Sequence, residues 1–198
     1  MKKYFINQST GRKETMNDNK VYLDVDGILR PFVEEAHKLI EDTYDVEVTE
    51  FNGTDFWSCF PIAKEVARQT IFKGGLRRIF LDSKPYKNAK NEFDFLKGWC
   101  DGKGYELIIV TSQVSYAQKL YTLQWLAKHE LLVDNIAFLN FNNKALLRGL
   151  TLIDDDIRNL KAWEDANGIT TATCYKRPWN ESWKGITINS LEDIPNVL

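Results

Sequence analysis

From residue 20 onward, short apolar runs end in polar residues and are followed by helix-period patterns. This alternation is what most limits the folds open to the chain. The runs are 21–25, 107–110, 136–141, 150–153 and 170–175, all rich in β-branched, leucine or aromatic residues. They are predicted to be parallel strands. Between them, Phe32, Val33, Ala36, Leu39 and Ile40 follow a 3.6 period, as do Tyr116, Leu120, Leu123 and Ala127. Pro31 suits the first turn of a helix, and Phe93, Leu96 and Cys100 mark a helix stopped by Gly102-Lys103-Gly104. Ile157, Leu160 and Trp163 mark another, ending near Gly168. The fold class expected is α/β, a Rossmann-like parallel sheet flanked by helices.

One interval breaks the rhythm. A parallel crossover needs only a dozen or so residues, whereas far more separate Val25 from Leu107. The surplus, 31–86, holds two helical patterns and the aromatics Phe51, Phe56, Trp57, Phe60, Phe72, Phe80 and Tyr86. It is expected to be a small helical cap inserted after the first core strand, leaving 20–30 and 87–198 as the core. Residues 1–19 form a polar extension in which Ser9-Thr10-Gly11-Arg12 could turn a hairpin between 3–6 and 13–16. Disorder is the equal alternative.

At 198 residues and 43% hydrophobic, the chain can bury a proper core. A formal charge of -2, from 26 basic and 28 acidic residues, gives no general basic field for long nucleic acid or an anionic membrane. No apolar stretch approaches membrane-spanning length. The histidines, His37 and His129, are read as solvated helix positions, and Cys59, Cys100 and Cys174 lie too far apart for a zinc finger or a CxxC redox site. Reduced thiols and a cytoplasmic location are expected. The basic stretch Lys73, Arg77, Arg78, Lys84, Lys87 and Lys90 is read first as a solvated face and second as a phosphate guide.

The chemistry is concentrated at strand ends. Asp24 and Asp26 leave the first strand at i and i+2, and Gly27 permits the tight turn that follows. Thr111-Ser112 follows the second strand, Lys144 the third, and Asp154-Asp155-Asp156 the fourth. In an open parallel sheet these ends border one crevice. Clustered carboxylates repel unless neutralised, and hard oxygen ligands suit Mg²⁺, which shares its shell with substrate phosphates. With no usable histidine or thiol, phosphoryl transfer is the chemistry that fits. An EF-hand is excluded because Ile28 and Leu29 occupy positions that need an oxygen ligand and a glycine. One of the three acidic residues at 154–156 is also expected to cap the helix beginning near Ile157.

Asp24-Val-Asp26-Gly27, Val110-Thr111-Ser112, Lys144 and Leu152-Ile153-Asp154-Asp155 resemble, in order, the four motifs of the haloacid dehalogenase superfamily. More narrowly, 24–32, Asp55-Phe56-Trp57, 80–89 and Arg177-Pro178-Trp179-Asn180 resemble segments of the 5'(3')-deoxyribonucleotidases. The likeness covers about 20–185. Asn88, Gln113 and Asp156 depart from the family pattern. The resemblance implies a Mg²⁺-dependent phosphatase acting on nucleoside monophosphates through an aspartyl-phosphate. Asp24 would be the nucleophile and Asp26 the general acid and base. Asp24, the Asp26 carbonyl, Asp155 and Asp154 would hold the metal, while Thr111, Ser112 and Lys144 would hold phosphate. Phe32, Phe56, Trp57 and Phe80 would stack on the base, and Arg177, Trp179 and Asn180 would line the rim.

The rival readings keep the enzyme class with another small phosphoester or a nucleic-acid 3'-phosphate, or replace it with a phosphoaccepting or nucleotide-binding module. A receiver module is disfavoured because its acidic pair follows the first strand and its phosphoacceptor comes later. Here Asp24 and Asp26 come first and the acidic run fourth. The partner expected is a small molecule; self-association is left open.

Overall fold

The computed structural model describes residues 4–6, 13–15, 19–53, 55–140, 143–167 and 171–198. Six parallel strands form the core sheet: β3 (Lys20–Leu23), β4 (Glu106–Ser112), β5 (Asn135–Leu139), β6 (Thr151–Asp154), β7 (Thr171–Tyr175) and β8 (Ile186–Ile188). Their order is β5-β4-β3-β6-β7-β8. The first core strand is thus interior, paired with β4 on one side and β6 on the other. Two short strands, β1 (Tyr4–Ile6) and β2 (Lys13–Thr15), pair antiparallel. The hairpin expected there is present in its strands, while its Ser9–Arg12 turn lies outside the described residues.

The pleat of β3 explains the two-sided core. Val21 and Leu23 point to one face, where Phe93, Leu96 and Cys100 of α3 (Ala89–Lys103) and Trp125 of α4 (Tyr116–Lys128) pack against them. Tyr22 points to the other, with Leu160 and Trp163 of α5 (Ile157–Asn167). Alternating strands and helices require both faces to be covered, and they are. Between β3 and α3 come α1 (Phe32–Tyr44), a 3₁₀ turn at Phe56–Cys59, α2 (Lys64–Gln69) and π turns at Thr70–Gly74 and Arg78–Asp82. This insert has an apolar cluster of its own, built on Ala36, Leu39, Ile40, Phe60, Ile71, Ile79 and Phe80.

Several sequence expectations are corrected. The helix α3 runs through Gly102 and Lys103 and ends at Gly104, whose φ of 69° is the left-handed conformation that glycine tolerates. The periodic residues of α4 are not its buried face. Tyr116 is 82% exposed and Leu120 and Leu123 also face solvent, while Gln118, Thr122, Trp125 and Leu126 are buried. That face carries polar groups because it meets a buried arginine and a backbone carbonyl, which the apolar period could not reveal. The run at 136–141 forms a strand over Asn135–Leu139, and residue 141 lies outside the described residues, as does Gly168 beyond α5. Strand β8, three residues at the sheet edge, was not anticipated. The two histidines are half-buried rather than solvated: His37 packs on Phe56 and Phe60, and His129 on Trp125. All three cysteines are free and buried, as expected.

Candidate active site

The predicted strand-end groups converge at the carboxyl edge of β3, β4 and β6. Asp24 continues the sheet by one residue, its N–H donating to the Ile153 carbonyl at 3.0 Å. Beside it, β6 ends at Asp154 and Asp155 follows directly. One carboxylate oxygen from each of Asp24, Asp154 and Asp155 lies within 4.8 Å of the others, and all three residues are buried. Lys144 comes from the turn after β5, 1% exposed, with Nζ 2.7 Å from Asp24 Oδ2 and 2.7 Å from Asp154 Oδ2.

Three carboxylates against one ammonium leave a negative excess in a place without solvent. Burial pushes the Asp24 carboxyl up to about 8, against the pull of Lys144 and with the help of Asp154 and Asp26. Asp155 is raised well above the ordinary range by burial, then by Asp154 and Asp24. Asp154 is raised by burial against Lys144. Burial lowers Lys144, but Asp154 and Asp24 outweigh it and hold the ammonium charged. A divalent cation with oxygen preference would relieve this excess. The donor set, all hard carboxylate oxygen, fits Mg²⁺.

The surrounding bonds fix the cluster. Asp155 Oδ2 accepts from Trp179 Nε1 at 2.8 Å, and the Asp155 carbonyl accepts from Asn180 Nδ2 at 3.0 Å. Asp154 accepts from the Asp156 N–H at 2.8 Å and from Asn159 Nδ2 at 3.0 Å. Asp156 serves α5 instead, accepting from the Arg158 N–H at 2.9 Å and pairing with its guanidinium. Gly27 has φ 78°, and a Cβ there would stand 2.0 Å from Asp155 Oδ2, so only glycine lets the turn pass this close.

Asp26 points elsewhere. Its two oxygens take Arg30 Nε at 2.7 Å and Nη2 at 3.1 Å, and Gln113 Nε2 adds a third donor at 3.1 Å. Its carboxylate is not part of the three-carboxylate group. Thr111 is fully buried, its Oγ1 accepting from Gln113 at 3.2 Å, while the buried Ser112 Oγ has no partner among the described residues. Ser112 therefore has the less committed hydroxyl of the two.

The four predicted base-stacking aromatics are brought together. Phe32 lies 5.7 Å from Phe56 and 5.9 Å from Phe80, and Phe56 lies 5.3 Å from Trp57. Phe32, Phe56 and Trp57 are half-buried, whereas Phe80 is 2% exposed with its ring under Arg30. In the basic stretch, Arg77 pairs with Asp82, Arg78 with Asp42 and Lys90 with Asp94. Arg177 donates to the Gly27 carbonyl and, at 3.3 Å, to that of Ile28, with Tyr86 and Tyr175 under its guanidinium. The tail motif thus braces the turn and Asp155 rather than only lining a rim. Sequence reading missed Arg30, Asn159 and the role of Gln113. For Arg30 the available signal was a basic residue four positions after Asp26.

Structural comparison gives the fold. An L-2-haloacid dehalogenase from Xanthobacter autotrophicus aligns over 90% of this chain and 97% of its own, with TM-score 0.56 and 10% identity. The chain has the haloacid dehalogenase fold. An Entamoeba histolytica HAD hydrolase of family IA, variant 3, aligns over 88% and 94%, with TM-score 0.54 and 16% identity. A Thermotoga maritima chain assigned as a β-phosphoglucomutase aligns over 90% and 97%, with TM-score 0.57 and 17% identity. No protein-family model and no curated protein sequence matches the chain.

Proposed function

We propose that the protein is a Mg²⁺-dependent phosphomonoesterase that hydrolyses nucleoside monophosphates, with the insert at 31–86 as its cap. The observation that carries this reading is the buried group of Asp24, Asp154, Asp155 and Lys144 at the carboxyl edge of a haloacid dehalogenase-type sheet. Asp24, Asp154 and Asp155 would hold the metal, with the Asp26 carbonyl. When bound, the cation offsets their charge and polarises a phosphate oxygen.

Asp24 attacks phosphorus, forming the new P–O bond as the ester oxygen departs. Asp26 enters the step protonated, gives that oxygen its proton and becomes the carboxylate held by Arg30 and Gln113, then takes a proton from the water that attacks the aspartyl-phosphate and frees Asp24. Lys144, already charged and fixed between two carboxylates, steadies phosphate oxygens, with Ser112 and Thr111 at the facing strand end. The half-buried Phe32, Phe56 and Trp57 supply apolar faces on which a base can stack, an interaction worth roughly 1–3 kcal/mol.

The Thermotoga maritima chain's assignment as a β-phosphoglucomutase favours a second reading, a phosphosugar substrate on the same machinery. A panel of dUMP, dTMP, hexose phosphates and a 3'-phosphorylated oligonucleotide separates these. The first reading expects the highest kcat/KM on the mononucleotides. Preference for hexose phosphates would support the second, and a steep salt dependence on the oligonucleotide would point to a polymer substrate.

A further inference from the structure

Arg30 is a fully buried guanidinium in the turn between β3 and α1. Such a charge is costly to bury, and a buried ion pair is weak grounds for stability because well-packed apolar residues often serve as well. Its geometry is more specific. Nε and Nη2 take the two Asp26 oxygens as a fork, while Nη1 lies 3.2 Å from the Phe80 carbonyl and 3.2 Å from Thr122 Oγ1. The guanidinium carbon stands 4.7 Å from the Phe80 ring centre and 5.2 Å from that of Trp125. Trp125 is itself tied by Nε1 to the Ser83 carbonyl at 2.8 Å. The turn is closed by the Gly27 N–H on the Arg30 carbonyl at 2.9 Å and the Arg30 N–H on that of Val25 at 3.0 Å.

One side chain therefore joins three parts: the carboxylate of Asp26, the return segment of the insert at Phe80, and the core helix α4 at Thr122 and Trp125. A planar fork fixes both the distance and the plane of a carboxylate, which a lysine cannot do. We propose that Arg30 is a positioning residue that sets where the Asp26 carboxylate stands, using Phe80 and α4 as its anchors. The assignment rests on the reading of Asp26 as the proton shuttle. Gln113 Nε2 donates to Oδ2, the same oxygen that Arg30 Nη2 takes, and completes the hold.

The test uses leaving groups. p-Nitrophenyl phosphate expels a stable phenolate and needs little protonation, whereas a nucleoside 5'-monophosphate expels an alkoxide and depends on it. Arg30→Met is expected to lower kcat on the nucleotide by roughly a hundredfold, the scale of a misplaced catalytic group, with a much smaller loss on p-nitrophenyl phosphate and little change in KM. Arg30→Lys should show the same selectivity, less severely, and Phe80→Leu should follow it. Asp26→Asn combined with Arg30→Met should be no slower than Asp26→Asn alone. Equal losses on both substrates, or additive losses in the double variant, would overturn the proposal. Should Arg30→Met fail to fold, Arg30→Lys and Gln113→Leu carry the same comparison. Hydrolysis that vanishes in Asp24→Asn while the Arg30 variants keep the wild-type substrate ratio removes only the role of Arg30. Wild-type protein inert toward every phosphoester overturns the phosphatase reading and the Arg30 role with it.

Discussion

Lys144 stands 2.7 Å from Asp24, and both side chains are almost sealed from solvent, at 1% and 9% exposure. The ammonium also reaches Asp154, so a single cation restrains two of the three clustered carboxylates. Removing it leaves them unpaired in a low-dielectric site. Lys144→Met is expected to cost about 3–5 kcal/mol, the usual result of stripping one partner from a buried pair. Thermal unfolding should show a clear drop that Mg²⁺ partly reverses through binding to the folded state. Unchanged unfolding would contradict the account.

The pH dependence follows from Asp24. Burial, opposed by Lys144 and aided by Asp154 and Asp26, raises its carboxyl from 3.8 to about 8. Between those values the metal-free folded protein holds a proton that the unfolded chain has released. The contribution to stability is therefore complete below about pH 4 and lost as pH rises through about 8. In chelator, the melting temperature of wild type should fall more steeply from about pH 5 to about pH 9 than that of Asp24→Asn, which cannot titrate there. Parallel curves would count against the raised carboxyl.

Trp179 donates to Asp155 from the tail, and its ring lies 5.8 Å from Phe51 of the insert. Trp179→Phe keeps an aromatic ring and loses the N–H. Outer-shell partners of metal ligands typically change affinity by about 10–100-fold, so the Mg²⁺ concentration for half-maximal activity should rise on that scale. Calorimetric titration of Mg²⁺ should show the same shift without substrate.

Gly27→Ala places a methyl group against Asp155 at a φ of 78°. The cost is strain of about 1–3 kcal/mol together with displacement of a metal ligand. Weak Mg²⁺ binding and a lowered melting temperature should appear together. A variant with normal metal affinity would show that Asp155 can stand elsewhere.

Much of this molecule was readable from its residues. The runs 21–25, 107–110 and 150–153, and the described part of 170–175, hold strands because continuous apolar, β-branched runs report a doubly buried surface. The convergence of Asp24, Lys144, Asp154 and Asp155 was legible because parallel strands must end on one side. The buried face of α4 was not, since Thr122 and Gln118 are interior only because other segments bring polar partners to that side. Arg30 was hidden for the same reason. Its spacing of four from Asp26 was a local signal for that pair, but its burial depends on acceptors 50 and 92 positions away.

The most direct measurement is phosphate release from dUMP or dTMP by purified wild type and Asp24→Asn, each with Mg²⁺ and with chelator. The account expects release by wild type only with Mg²⁺ and none by Asp24→Asn under either condition. Sustained turnover by Asp24→Asn, or wild-type release undiminished by chelator, would contradict it.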